Sequence, residues 1–140
     1  MMLRALVEDT IRLAIHEFKD VGGAAGIQSV LANAVTPPGC YVFRQKVTVN
    51  PNTAISTISQ LSMETLGVLV VTRNVQDARG GVNSDESEAL CTLIRGVLLG
   101  LTVDNSYAPL EYGGGDLVLM RDGLHFWREL WQTSRYLRVA

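Results

Sequence analysis

The sequence has only two cysteines, Cys40 and Cys91, among its 140 residues. Two thiols do not make a disulfide framework. Cys91 falls in an apolar helical pattern and Cys40 opens an expected strand, so both read as reduced, partly buried side chains. Long hydrophobic runs are also missing. No window approaches the ~20 apolar residues that cross a bilayer, and the longest candidate, Leu90 to Leu101, is broken by Thr92 and Arg95. There is no Lys/Arg tract, and the formal charge of −2 is scattered in both signs along the chain. That excludes the strong phosphate attraction of a general nucleic-acid binder, though not a local basic patch made by folding. The N-terminus begins Met-Met-Leu-Arg and enters an amphipathic pattern at once, without an apolar signal core or cleavage site. A soluble protein made in the cytoplasm is expected.

Sets of residues able to carry chemistry are equally scarce. His16 and His125 have no HExxH, HxH or Cys/His spacing around them, so a zinc site is not expected, and each reads as an ordinary surface or rim histidine. No GxSxG pentad is present. Cys40 lies far in sequence from both histidines, leaving a Cys/His pair without support. The carboxylates Asp85, Glu86 and Glu88 are accounted for by the electrostatics of a helix start. Gly113-Gly114-Gly115 precedes a strand rather than a helix, which suits a tight turn and not a phosphate loop. The reading is a protein that is not an enzyme and needs no cofactor or metal.

What the chain does have is material for a core. Apolar residues make up 47% and charged residues 19%, and a domain of this length buries roughly 68% of the surface its unfolded chain exposes. One compact domain, residues 1–140, is expected. Leu3, Leu6, Val7, Ile11, Ala14 and Phe18 recur at helical spacing and predict a first helix ending near Gly22-Gly23. Ala24 to Val35 reads either as a short helix or as an ordered loop. Pro37-Pro38-Gly39 forces an extended or turned entry into a strand from Tyr41 through Val49, with Arg44, Lys46 and Thr48 on a wet side. Asn50 to Gln60 reads as a loop or frayed hairpin. Leu61 to Asn74 predicts a long strand whose centre, Leu66 to Val71, is apolar on both faces and so central in a sheet.

Beyond a polar loop around Gly80-Gly81, Ser84 is a suitable N-cap for a helix carrying Leu90, Leu93, Ile94, Val97, Leu98 and Leu101 on one stripe. Gly96 and Gly100 have a small-xxx-small spacing, which in such a helix permits close packing on a sheet or neighbouring subunit. Leu110 to Tyr112, Leu117 to Met120, and His125 to Val139 read as strands separated by turns at Gly113–Gly115 and Arg121–Gly123. This order predicts an α+β fold: a mostly antiparallel or mixed β-sheet with two main α-helices packed on one face. Near the C-terminus Trp127, Trp131 and Tyr136 interleave with Arg128, Arg135 and Arg138. Three readings stay open for that block: packing within a wide sheet, a protein interface anchored by Trp, Tyr and Arg, or stacking on single-stranded nucleic acid.

The same block carries a family likeness. Ala108-Pro109-Leu110-Glu111-Tyr112-Gly113-Gly114-Gly115-Asp116-Leu117-Val118, followed by His125-Phe126-Trp127-Arg128-Glu129-Leu130-Trp131-Gln132-Thr133-Ser134-Arg135-Tyr136-Leu137-Arg138, resembles the ending of the tail terminator proteins of long-tailed bacteriophages. The likeness covers the whole chain in element order and the last ~30 residues at the motif level. It implies a subunit of a homo-oligomeric ring, a hexamer, seated on the last ring of tail-tube protein. Such a ring ends tube polymerisation and offers its other face to the neck or connector, with DNA passing through and no sequence-specific contact. The implied location is the head-proximal end of the tail in the virion. A neck or head-completion protein on the portal side is the neighbouring alternative, and a small nucleic-acid-binding module the more distant one. The contact residues expected on this reading are Arg44, Lys46, Arg73, Asp77, Arg79, Trp127, Arg128, Trp131 and Arg135. The loops at 73–83 and 50–60 are natural contact arms.

Overall fold

The computed structural model describes residues 2–76 and 79–139. Helix α1 spans Leu3–Ala14, strand β1 Asp20–Gly23, helix α2 Ile27–Ala32, strand β2 Gly39–Val49, strand β3 Ile58–Arg73, helix α3 Gly81–Leu98, strand β4 Glu111–Arg121 and strand β5 Leu124–Val139. The strands form one sheet in the order β1-β2-β3-β5-β4. β1 runs parallel to β2, and every other pairing is antiparallel. The sheet is therefore mixed, and the fold is α+β as the order of patterns predicts.

Both faces of the sheet are covered, which explains why β3 is apolar on alternate and intervening positions alike. On one face Leu66, Val68 and Val70 of β3 join Cys40 and Val42 of β2 and Trp131 of β5. They pack there against Leu3, Val7 and Ile11 of α1 and Leu90, Ile94 and Leu98 of α3. On the other face Leu69, Val71, Tyr41, Phe43 and Phe126 pack with Val30 of α2. The two main helices share a face as expected, and the ambiguous segment 24–35 supplies the cover for the opposite one.

Several boundaries differ from the sequence reading, each for a local reason. α1 ends at Ala14, and Ile15 turns extended (φ −120°, ψ 111°). Ile15 and Phe18 are still buried, so the apolar positions that prolonged the helical pattern serve the core from an extended segment. His16 lies beyond the helix, exposed. Gly22 and Gly23 do not merely stop a helix; they belong to β1, paired with Tyr41 and Val42. α3 begins three residues before Ser84, after Gly80 in a left-handed conformation (φ 80°), and no side chain caps it. Ser84 is instead inside the helix, its N–H bonded to the Gly80 carbonyl at 2.9 Å.

The three glycines at 113–115 are not a turn. They lie within a continuous β4, where the pairing moves from Tyr112–Trp131 to Gly115–Glu129. The extra residue is a bulge, with Gly114 at φ +96°. The true turn is the expected one at Asp122-Gly123. Both residues have positive φ (51° and 77°) between the paired Arg121 and Leu124, the geometry of a two-residue hairpin that matches strand twist. β5 then runs unbroken to Val139. The loop at 50–57 is organised by Asn52, whose side chain accepts from the N–H groups of Ala54 (3.2 Å) and Ser59 (2.9 Å) and donates to the Thr57 carbonyl (3.1 Å).

Candidate interaction surfaces

Trp127, Glu129 and Trp131 alternate along β5 and therefore share the helix-covered face of the sheet. Glu129 is fully buried there, and a buried carboxylate persists only when its charge is matched and its oxygens are hydrogen-bonded. Arg95 of α3 supplies the charge, with Nη2 at 2.9 Å and Nε at 3.0 Å from Oε1. Tyr112 of β4 donates its hydroxyl to Oε2 at 2.6 Å, and Trp127 donates its indole N–H to the same oxygen at 2.9 Å. The Arg95 guanidinium also lies over the Tyr112 ring, 4.8 Å from its centroid, and that ring meets Trp131 at 5.3 Å. One carboxylate thus ties α3, β4 and β5 together.

This network explains Gly115. A Cβ at that position would lie 2.5 Å from Glu129 Oε2, 2.9 Å from Trp127 Nε1 and 2.9 Å from the Arg128 carbonyl. The glycine run lets β4 pass close over a buried ion pair. Burial, with the neighbouring Glu129 carboxylate, raises the Tyr112 hydroxyl to about 12.

Beside the pair a cavity of about 230 Å³ is lined by Ser84, Ser87, Glu88, Cys91, Arg95, His125 and Trp127. His125 is buried, 3% exposed, and not at a surface or rim. It faces inward because it shares the Trp127 side of β5. Burial first, and Glu129 second, raise the Cys91 thiol to about 12, and burial raises that of Cys40 further still. Neither is a ready nucleophile, since reactivity belongs to the thiolate. Among the described residues no group of three or more His, Cys, Asp and Glu is placed to hold a metal ion. No helix among them is long and apolar enough to cross a membrane.

The residues expected at contacts fall into different places. Arg44 is exposed and paired with Glu64 at 2.8 Å, and Lys46 is exposed two residues on. Arg73 lines a groove with Lys19, Pro37, Pro38 and Glu86. Arg79 is exposed, and Asp77 lies outside the described residues. Arg128 grips Asp116 through two contacts, 2.9 and 2.8 Å. Arg135 is exposed and sits over Tyr107 at 4.9 Å. Trp127 is half-buried and engaged with Glu129. Trp131 must be corrected: it is fully buried in the core and offers no surface, because its side of β5 is the one covered by helices.

The far end of the sheet is exposed. β2, β3 and β5 outrun the helices, so Arg44–Val49 and Arg135–Val139 are exposed throughout. Of sixteen large apolar side chains exposed among the described residues, eight sit on this end: Val47, Val49, Ile55, Ile58, Met63, Tyr136, Leu137 and Val139. A single-chain protein gains nothing from displaying such a surface. The sequence reading found its charged members but not its apolar ones, which look like ordinary strand residues until the helices are seen to stop short.

The structure combines a core on both faces of the sheet, a buried carboxylate engaged by three side chains and a long exposed sheet end. The chain belongs to the phage tail terminator family: the family model for phage tail terminator proteins matches residues 2–139. It is a virion component with a structural role in the tail, and proteins of the tail or virion are its partners. No curated protein matches the sequence. Among solved structures, a chain from the virion of a native gene transfer agent particle aligns over 96% of this chain and 95% of its own, at 15% identity and a TM-score of 0.49.

Proposed function

We propose that the chain forms a homo-oligomeric ring, a hexamer, that caps the tail tube. The ring ends tube polymerisation and presents its other face to the neck, at the head-proximal end of the tail, after assembly in the host cytoplasm. The family match across residues 2–139 carries this reading. The exposed, half-apolar sheet end supports it, since a ring subunit needs two different patches that meet head to tail. The role needs no catalysis.

Light scattering and electron microscopy of the purified protein, followed by addition to purified tail tubes, test it. Rings that attach to tube ends and stop further addition of tube protein are expected. A protein that stays monomeric and leaves tubes growing overturns the reading. Rings that co-sediment with filled heads and not with tails move the function to the portal side of the joint.

A further inference from the structure

The exposed sheet end carries a charge opposite to that of the whole chain. Arg44, Lys46, Arg135 and Arg138 oppose a single carboxylate, Glu64, across 44–65 and 132–139, although the protein as a whole is at −2. Arg44 is matched by Glu64. Among the described residues, no carboxylate lies within ion-pair distance of Lys46, Arg135 or Arg138. The outer edges of β2 at 44–49 and of β5 at 135–139 lack strand partners in the sheet. Pairing these two edges between copies would set Arg44 and Lys46 beside Arg135 and Arg138, and like charges on neighbouring strands oppose each other. The complement to this end lies elsewhere.

It lies on α3. The outward line of that helix is Asp85, Ala89, Thr92 and Gly96, at i, i+4, i+7 and i+11, all exposed. Exposed Val82 and Leu93 flank it on one side and Glu88 on the other. Glu86 shares its groove with Lys19 and Arg73, and Glu88, though exposed, also borders the cavity beside Arg95; among the described residues neither Asp85 nor Glu88 is held in an ion pair. Gly96 is the telling residue. A Cβ there would meet nothing within 4 Å, so no contact inside the chain calls for glycine in the last turn of α3, where it weakens the helix relative to alanine. A partner lying close on the helix gives that glycine a reason.

We infer that the basic, half-apolar sheet end of one copy (Lys46, Arg135, Arg138 with Val47, Val49, Val139) seats on the small, acidic outer face of α3 of the next copy, around Asp85, Glu88 and Gly96. This rests on the ring reading and specifies its subunit contact. The two patches differ and lie on different parts of the molecule, so the contact is head to tail and repeats around a closed ring. Small residues along the helix let a sheet approach closely, and the cations fall beside carboxylates that have no other ion pair among the described residues.

Two charge-reversed variants test it, Lys46→Glu/Arg138→Glu on the sheet end and Asp85→Lys/Glu88→Lys on α3, with circular dichroism checking the fold. Wild type is expected as rings in light scattering and electron microscopy. Each variant alone should be a folded monomer, with at least a tenfold rise in the concentration needed to assemble. Mixed one to one, the two variants should form rings again, because reversed ends then meet reversed helices. Gly96→Gln should melt higher than wild type and yet fail to assemble, a combination that a merely surface glycine would not produce. Wild type that stays monomeric sinks the ring reading and this contact together. Wild-type rings that survive both reversals, or variants that do not complement on mixing, overturn the contact alone. If both reversals leave rings intact while the sheet-end reversal abolishes retention of a DNA duplex, the basic end belongs to phosphate and not to a second copy.

Discussion

Arg95 on α3 and Glu129 on β5 sit 34 positions apart in the sequence and 2.9 Å apart in space, with the carboxylate fully buried and the guanidinium reaching solvent. The pair is worth more to break than to have. Removing one partner strands a charge in a low-dielectric setting, and that penalty exceeds the modest net gain of forming the pair. Arg95→Met should lower unfolding free energy by about 3 kcal/mol, the low end for such a loss because the Arg95 side chain is about a third exposed. Asp116→Asn, which breaks the exposed pair with Arg128, should cost under ~1 kcal/mol. Urea titrations of both variants check this. Equal losses would mean that burial of Glu129 does not govern the energetics.

Gly115 and Gly114 are neighbours with different reasons to be glycine. At 115 the constraint is space, since an added methyl runs into Glu129, Trp127 and the Arg128 carbonyl. At 114 the constraint is backbone, φ +96° with open space around it. Gly115→Ala should therefore cost about 2–3 kcal/mol, as overpacking does. It should also pull the Trp127 indole off the carboxylate, visible as a shift in tryptophan fluorescence. Gly114→Ala should cost about 1 kcal/mol and leave the fluorescence unchanged.

How much of this was legible beforehand depends on whether the signal was periodic or spatial. The faces of α1, β3 and α3 could be read because their apolar positions repeat over three or more turns or a long run. β1 could not: Asp20-Val21-Gly22-Gly23 has no alternation, and it is a strand only because β2 offers it an edge. The Gly113–Gly115 run was open to a turn reading because glycine permits both turn and bulge, and only the register with β5 decides between them. Glu129 did leave a trace. A carboxylate at the middle of Trp127-x-Glu129-x-Trp131 shares a face with two tryptophans, and period-2 alternation puts it inward; its partner Arg95 had no such mark. The start of α3 at Gly81 was displaced from Ser84 because a left-handed glycine began the helix without any side-chain cap.

Alkaline pH should destabilise the fold. Burial holds Cys91, Tyr41 and Tyr112 protonated in the native state, each raised to about 12, while in the unfolded chain thiols ionise near ~8.5 and phenols near ~10. Between those values the unfolded state binds fewer protons than the native one, so stability falls as pH rises. Stability is fully retained below about pH 8.5 and declines through pH 12. Urea midpoints measured from pH 8 to 11 should drop steadily. Cys91→Ala should flatten part of that slope, and its absence of effect on the slope would remove the thiol from the account. At pH 8 neither cysteine of the folded protein should react with iodoacetamide.

Trp131 separates core from interface in the block where both were plausible. Its indole is fully buried between α3 and the sheet, against the half-exposed edge of Tyr112. Trp131→Ala should cost about 3–5 kcal/mol, the range for deleting a buried aromatic. Arg135, four positions on, stands over Tyr107 on the surface, and Arg135→Ala should change stability by less than ~1 kcal/mol. The two should part again in assembly. At a temperature where both variants are folded, Trp131→Phe should assemble like wild type, since no neighbour can reach that side chain, while loss of Arg135 removes a cation from the exposed sheet end. Sedimentation velocity of the two variants at equal concentration decides the matter. A folded Trp131→Phe variant that no longer assembles would show that the tryptophan is reached by a partner after all.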